Sequence, residues 1–224
     1  KRVPIIAGTG SNSTAEAINL LKHAESAGAD AALVVTPYYN KPTPEGLYAH
    51  YEALDSASSG IPIIIYNIPS RSVIDINVDL MGRLSHLQSI VGVKDATSDI
   101  SRIKEHNELC EDGFIQLSGE DETIYEYMIN GGQGCISVTA NILPKVCSDM
   151  HKAFSNNDLE EAKRLNNILM PLHKSLFIET SPSPVKYILS KMDLIDYEIR
   201  LPLVKIRQET KSILDEIISN LEIK

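Results

Sequence analysis

The chain has 224 residues, of which 43% are hydrophobic and 23% are charged, a composition typical of a globular protein with a sizeable core. Its formal net charge of −9 argues against nucleic acid as the main partner, because binding to phosphates requires an excess of lysine and arginine. No apolar run is long enough to cross a bilayer, and the three cysteines lack the spacing of a disulfide framework or a zinc site. We therefore expect a reduced, cytoplasmic protein that contacts no membrane and binds no metal.

Short apolar runs alternate with amphipathic segments as far as residue 157, which is typical of repeated βα units and a parallel sheet. The predicted strands are Val3–Ala7, Ala31–Thr36, Pro62–Tyr66, Ile90–Lys94, Phe114–Leu117 and Gly134–Val138. The predicted helices are Thr14–Ala27, Pro44–Ser58, Val78–Leu84, Ile100–Leu109, Glu122–Asn130 and Leu143–Phe154. These βα units fit both an open doubly wound sheet and an incomplete barrel, and periodicity alone does not separate the two.

From Asp158 onward the pattern changes to helices without intervening strands, predicted at Asp158–Phe177, Pro184–Lys191 and Leu203–Leu221. Apolar residues recur at helical spacing in the last segment, which favours a helix packed on the main domain or on a partner over a short coiled coil. We therefore predict a βα region over residues 1–157 and a helical extension over residues 158–224.

Polar side chains end two of the predicted strands, Lys94 the fourth and Tyr66 the third. In parallel α/β architectures the carboxyl ends of the strands line the active site. Burial there lowers the pKa of a lysine, so that its neutral amine can attack a carbonyl, and a tyrosine can relay protons. Arg71, after the turn at Pro69, is suited to binding a carboxylate. The alternatives are a lysine that reaches solvent or pairs with Asp95, a core tyrosine and a solvated surface arginine.

Two adjacent tyrosines, Tyr38 and Tyr39, lie in a proline-bounded loop after the second predicted strand. Exposed aromatic rings predict a covering partner subunit or ligand. Rings folded back onto their own helix are the alternative.

The glycine-rich segment Gly8–Thr14 joins a predicted strand to a helix N-terminus, as phosphate-binding loops do. It lacks both the complete dinucleotide fingerprint and the Walker lysine. A glycine turn that caps the helix is the simpler interpretation.

Taken together, these segments are similar to the dihydrodipicolinate synthase and N-acetylneuraminate lyase superfamily of class I pyruvate aldolases. The resemblance runs from Ile5 to about Pro202, with motifs in the family's order and near its spacing. It implies a (β/α)8 TIM barrel with a C-terminal helical extension. The motifs that carry it are Ala7–Gly10, Val35–Asn40, Tyr66–Pro69, Gly92–Asp95 and Gly134–Asn141.

Within this superfamily, Arg71 favours the synthase branch over the sugar-acid lyases. The resemblance then implies condensation of pyruvate with L-aspartate-4-semialdehyde, a step toward diaminopimelate and lysine. The implied reaction requires no metal or organic cofactor, because the lysine imine is itself the electron sink. The implied site residues are Lys94 for the imine, Tyr66 for proton relay, Tyr39 for the relay of a neighbouring subunit, Arg71 for a carboxylate, and Gly119 and Ile136 for the pyruvate pocket.

The resemblance also implies a homotetramer, a dimer of dimers, with an inhibitory site for L-lysine at a cleft between subunits. Asn12, Glu16 and Tyr38 match positions of that cleft, and an amide, a carboxylate and a phenol suit a zwitterionic amino acid.

The chain departs from the family pattern at its start, because the family's first two βα units, with a Thr-Thr motif of the proton relay, precede the position of Val3. We expect a longer protein that contains them; the other interpretation is a truncated product of doubtful activity. The alternative functions are a 2-keto-3-deoxy sugar-acid aldolase or N-acetylneuraminate lyase, an inactive paralogue or fragment that binds an amino acid or a partner, and a phosphate-binding barrel that uses Gly8–Thr14.

Overall fold

The computed structural model describes residues 2–221. They form two compact units, a sheet unit that ends at Ile136 and a helical unit that begins at Ser137. The helix Pro144–Ser155, which the prediction assigned to the βα region, belongs to the helical unit. The predicted division at residue 157 stays a prediction.

The sheet unit contains one parallel sheet whose strands neighbour one another in chain order. In a doubly wound sheet the strand order reverses at a switch point, whereas a barrel keeps the chain order. The uninterrupted order therefore favours the barrel arrangement. The strands are β1 (Ile6–Gly8), β2 (Ala31–Val35), β3 (Ile63–Asn67), β4 (Ile90–Asp95), β5 (Ile115–Ser118) and β6 (Gly134–Cys135).

All predicted strands are confirmed, but the second was predicted one residue too long and the first and last by more than one residue. The first begins at Ile6 rather than Val3, and the last ends at Cys135 rather than Val138. Val3 and Ile5 are both more than half exposed, so their apolar character does not reflect burial in the described residues.

Helices follow the strands of the sheet unit, and the caps lie close to the predicted ends. Ser13 caps the first helix by accepting a hydrogen bond from the backbone N–H of Glu16, and Thr43 caps the second in the same way. One helix, a single turn after β3, was not predicted. The helices are α1 (Thr14–Ser26), α2 (Pro44–Ala57), α3 (Pro69–Ser72), α4 (Val78–Ser85), α5 (Ser101–Leu109) and α6 (Ile124–Ile129).

Alternate residues of each strand face opposite sides of the sheet. On one side Ala32, Val34, Ile63 and Ile65 pack against the helices and are fully buried. Each such isoleucine stabilises the fold by roughly 1.5–3 kcal/mol relative to an exposed one. The residues between them face the other side, and a single row of register pairs joins Val35 of β2, Tyr66 of β3, Lys94 of β4 and Leu117 of β5.

The helical unit begins with a short 3-10 turn at Thr139–Asn141. Its own core includes Leu172, Ile188 and Leu214. The predicted helix Leu203–Leu221 is shorter than expected, because it begins only at Gln208. The helices are α7 (Pro144–Ser155), α8 (Leu159–Ser175), α9 (Ser183–Lys191) and α10 (Gln208–Asn220). Within residues 2–221, none of the helices combines the length and the apolar character that a membrane crossing requires.

The approach of β4 to β5 depends on Gly92. A Cβ at this position would lie 2.3 Å from the carbonyl oxygen of Ile115, a backbone atom that cannot turn away. We expect Gly92→Ala to lower the free energy of unfolding by about 1–3 kcal/mol, the usual cost of overpacking. Urea denaturation measures the change. Gly8→Ala in β1 is the matched control, because its Cβ would meet nothing within 4 Å. Equal effects of the two substitutions would contradict this account.

Candidate active site

The carboxyl ends of β3, β4 and β5 bring the predicted site residues together at one edge of the sheet. Tyr66 is the register partner of Lys94, and their side chains meet: the Lys94 Nζ atom lies 3.9 Å from the centroid of the Tyr66 ring. Lys94 is only 8% exposed. The alternative of a lysine that reaches into solvent is therefore wrong.

Burial lowers the pKa of Lys94, because a charged ammonium loses its hydration there. Cys135, Glu120 and Asp121 oppose this shift, and the positive charge of Arg71 reinforces it. The amine therefore loses its proton at a lower pH than an exposed lysine does, as a nucleophile requires.

Gly119 allows the backbone after β5 to lie directly against the lysine. A Cβ at Gly119 would lie 3.1 Å from Lys94 Cε and 2.7 Å from the Cβ of Ala96. The Gly119 N–H also donates a 2.6 Å hydrogen bond to the carbonyl oxygen of Asp95. A side chain here would occupy space directly beside the Lys94 side chain.

Tyr66 is half-buried, and burial raises the pKa of its phenol, although the charge of Arg71 opposes the shift and Glu120 adds to it. The phenol thus keeps its proton at neutral pH and can donate it to an oxygen bound beside Lys94.

A cavity of about 500 Å³ opens beside Tyr66 on the face of the sheet opposite the helices. Arg71, on α3, lines its wall, and it is the guanidinium whose charge acts on both Lys94 and Tyr66. The cavity offers one fixed positive charge, a proton donor and a predominantly apolar wall. The lining residues are Gly8, Gly10, Leu33, Val35, Tyr38, Tyr66, Ile68, Arg71 and Ser72.

The two neighbouring tyrosines differ in position. Tyr38 lines the cavity and is 42% exposed, whereas Tyr39 is 87% exposed and has a left-handed backbone with φ of 73°. The described residues do not cover the Tyr39 ring, so the alternative of rings folded back onto their own helix is wrong for this residue. Its role in a neighbouring subunit stays a prediction.

The residues predicted for a lysine site lie on the loop after β1 (Asn12), in the first turn of α1 (Glu16) and on the loop after β2 (Tyr38). The Ser11 hydroxyl donates a hydrogen bond to the Glu16 carboxylate, and Asn40 Nδ2 donates one of 2.9 Å to the Asn12 carbonyl oxygen. The second bond links the loop that carries Tyr38 to the loop after β1.

Gly8–Thr14 packs as a tight turn. A Cβ at Gly10 would lie 2.6 Å from the backbone nitrogen of Val35, so this glycine is explained by close approach to β2. Ile136 follows β6, where its N–H donates a 3.0 Å hydrogen bond to the Ser118 carbonyl oxygen. Within residues 2–221, His, Cys, Asp and Glu side chains form no group of three or more that could hold a metal ion.

Sequence reasoning missed the acidic pair Glu120 and Asp121 and the thiol of Cys135. Burial raises the pKa of Glu120, with Asp121 adding to the shift and Lys94 opposing it. Asp121 is almost fully buried, and Cys135 Sγ lies 3.9 Å from its Oδ1 atom. The same rule that indicated Lys94, polar residues directly after an apolar strand, also indicates the acidic pair.

The sequence pattern of the Dihydrodipicolinate synthetase family matches residues 1–221. The chain belongs to this family. A 4-hydroxy-tetrahydrodipicolinate synthase of Pelagibacter ubique is 59% identical over 95% of the chain and 73% of the relative. One of Bradyrhizobium diazoefficiens is 55% identical over 94% of the chain and 71% of the relative.

Solved structures of the dihydrodipicolinate synthetase family confirm the expected α/β barrel fold class. Acinetobacter baumannii dihydrodipicolinate synthase, complexed with pyruvate, has a TM-score of 0.96 and 48% identity, and covers 100% of this chain and 77% of its own. The enzyme of Cyanidioschyzon merolae, with lysine bound, has a TM-score of 0.94 and 30% identity, with coverage of 99% and 75%. The predicted class, a Schiff-base-forming pyruvate aldolase, is confirmed with the family.

The lowered pKa of Lys94 predicts the pH dependence of its labelling. We expect labelling by 2,4-dinitrofluorobenzene, mapped by peptide mass spectrometry, to have a midpoint below the ordinary lysine value of 10.5. Glu120→Gln removes a negative charge that favours the ammonium, so it lowers the midpoint further. Glu126→Gln, on the exposed face of α6, is the control and leaves the midpoint unchanged. A midpoint at the ordinary value, or an upward shift in Glu120→Gln, would contradict the assignment.

Proposed function

We propose that the chain has 4-hydroxy-tetrahydrodipicolinate synthase activity and condenses pyruvate with L-aspartate-4-semialdehyde. The observation that carries the proposal is the buried Lys94 amine, held at a strand end against the Tyr66 ring and beside the backbone of Gly119. An exposed lysine would be protonated and unreactive at neutral pH, whereas this one has a lowered pKa.

In the first half of the reaction, the neutral Lys94 amine attacks C2 of pyruvate and forms a carbinolamine. Loss of water from this adduct requires a proton on the departing hydroxyl, and the Tyr66 phenol supplies it. The product is an imine between Lys94 and pyruvate. The backbone at Gly119 and Ile136 lines the pocket for the small keto acid.

In the second half, the Tyr66 phenolate left by the first half takes a proton from C3 of the pyruvate moiety, and the imine becomes an enamine. The enamine carbon attacks the aldehyde carbon of the semialdehyde and forms the new carbon–carbon bond, and the Tyr66 phenol protonates the resulting oxygen. Attack of the semialdehyde's amino group on C2 then releases the Lys94 amine. The electrons that leave C3 are held on the imine nitrogen. Arg71 binds the carboxylate of the semialdehyde at the wall of the cavity, through its planar guanidinium.

The exposed Tyr39 ring supports assembly with a second copy of the chain. We assign Tyr39 to the proton relay of the neighbouring subunit, within a homotetramer built as a dimer of dimers. A large ring that is 87% exposed at the edge of a loop is the kind of side chain that subunit interfaces cover.

We assign a site for L-lysine, the end product of the pathway, to Asn12, Glu16 and Tyr38. The support is the polar character of these residues and their position on two loops joined by the Asn40 hydrogen bond and in the adjoining first turn of α1. A relative from Cyanidioschyzon merolae has been solved with lysine bound.

The odd number of cysteines, without disulfide spacing, supports a reducing compartment, and we place the protein in the cytoplasm.

Incubation with pyruvate and borohydride tests the imine. We expect one pyruvate adduct on the peptide that contains Lys94, because within residues 2–221 this is the buried lysine, and its pKa is lowered. Lys94→Met removes the adduct, and Lys104→Met, on the exposed face of α5, is the control and retains it. A folded chain without an adduct, with folding judged by circular dichroism, would disprove the proposal.

Aldehyde selectivity tests the role of Arg71. We expect turnover with L-aspartate-4-semialdehyde and none with N-acetylmannosamine, the aldehyde of the sialic acid lyases. Because a hydrogen bond to a charged group is worth about 1.5–3 kcal/mol, Arg71→Met should lower kcat/KM for the semialdehyde roughly tenfold to a hundredfold. Loss of the Arg71 charge also raises the pKa of Lys94, so borohydride trapping of pyruvate is compared at a pH above the Lys94 midpoint, where it should be unchanged in this variant. Preferential turnover of N-acetylmannosamine would instead support the lyase alternative.

A further inference from the structure

One buried side chain, that of Asn67, joins the two ends of the segment that carries Arg71. We call this segment, residues 68–76, the Arg71 turn. Asn67 is fully buried at the end of β3, directly before the turn, and its side-chain amide forms hydrogen bonds with the far end of the turn. Its Nδ2 atom donates a 2.9 Å hydrogen bond to Asp75 Oδ1, and its Oδ1 atom accepts one of 3.1 Å from the N–H of Ile76. The Asn67 amide therefore joins the two ends of the segment that carries Arg71. The proposed mechanism assigns this amide no role.

Arg102, on α5, holds the same point from outside the turn. Its guanidinium donates two hydrogen bonds, of 2.8 and 2.5 Å, to the Asp75 carboxylate, and a third, of 3.1 Å, to the Ile76 carbonyl oxygen. A bidentate pair of this kind fixes the orientation of the two groups as well as their distance. The Arg102 side chain is only 15% exposed, so solvent screens these contacts little.

The same two residues reach the end of β4, next to Lys94. Asn67 Nδ2 lies 3.4 Å from Asp95 Oδ2, and Arg102 Nη1 lies 3.8 Å from the same oxygen. Asp95 is almost fully buried and directly follows Lys94 in the strand. The Arg71 turn is thus tied to the strand that carries the nucleophile.

The backbone of the turn supports this account. Val73 has a φ of 68°, a left-handed conformation that is strained for a β-branched residue. Its side chain is largely exposed, so packing of its own does not hold it there. Such a conformation persists only when the surrounding contacts determine it.

We propose that Asn67 and Arg102 are positioning residues, which fix the Arg71 turn relative to the end of β4 and thereby set the affinity for an aldehyde that carries a carboxylate. The inference rests on the proposed function, because it concerns the second substrate of that reaction. Lys94 lies within the sheet, where strand hydrogen bonds hold it, so the network acts on imine formation with pyruvate through the charge of Arg71 and not through the position of the amine.

The test compares Arg102→Met and Arg102→Lys with Arg83→Met, which breaks an exposed two-bond ion pair with Glu45. In Arg102→Met we expect KM for L-aspartate-4-semialdehyde to rise about tenfold, below the hundredfold loss that a 1 Å misplacement can cause. At a pH above the Lys94 midpoint, where a displaced Arg71 charge no longer changes the protonation of the amine, pyruvate trapping by borohydride and the rate with propanal, which has no carboxylate, should stay unchanged. Arg102→Lys keeps the positive charge but cannot form the bidentate pair with Asp75, so it should give an intermediate KM.

Amide hydrogen exchange separates positioning from general damage. In Arg102→Met, exchange should accelerate in residues 68–76 and not in β2 or β4, while Arg83→Met leaves it unchanged. An unchanged KM, or an equal loss with propanal and the semialdehyde, would overturn the inference. A parent chain that forms no pyruvate adduct would overturn the proposed function instead, and the basis of the inference with it.

Discussion

The chemistry of this site depends on a lysine amine that is kept out of water at the end of a parallel strand. Burial of an ammonium is unfavourable, whereas burial of a neutral amine costs far less, so the position itself selects the reactive form. The backbone of Gly119 on one side and the Tyr66 ring on the other enclose the Lys94 side chain. The opposite face of the same strands offsets the cost, because Ile63, Ile65 and Val93 are fully buried there.

The charged groups around the Lys94 amine shift its pKa in opposite directions. Glu120 and Asp121 favour the ammonium, while Arg71 and burial favour the neutral amine. Two of these groups have further uses, since Arg71 also faces the cavity and Glu120 also acts on the Tyr66 phenol. A change at either residue therefore affects the protonation of both Lys94 and Tyr66, and a change at Arg71 also alters the wall of the cavity.

Sequence patterns predicted the elements that depend on local apolar runs, and so placed Lys94 and Tyr66 at a shared edge. They did not predict α3, because one helical turn is too short to show periodicity. The proximity of Cys135 to the acidic pair was also missed, since it depends on the register of β6 with β5. The predicted start of β1 at Val3 was wrong because apolar character alone does not supply a hydrogen-bonded neighbour.

The two halves of the site are built differently. Lys94 and Tyr66 belong to the hydrogen-bonded ladder of the sheet, whereas Arg71 lies on a separate turn that is joined to the ladder mainly by side chains. A ladder tolerates few insertions, because a shift of one residue turns every side chain to the other face. The side-chain contacts of Asn67 and Arg102 with the Arg71 turn can be replaced one at a time. Evolution, or a laboratory library confined to residues 68–76, can therefore change the turn that carries Arg71 while the strands that carry Lys94 and Tyr66 stay intact.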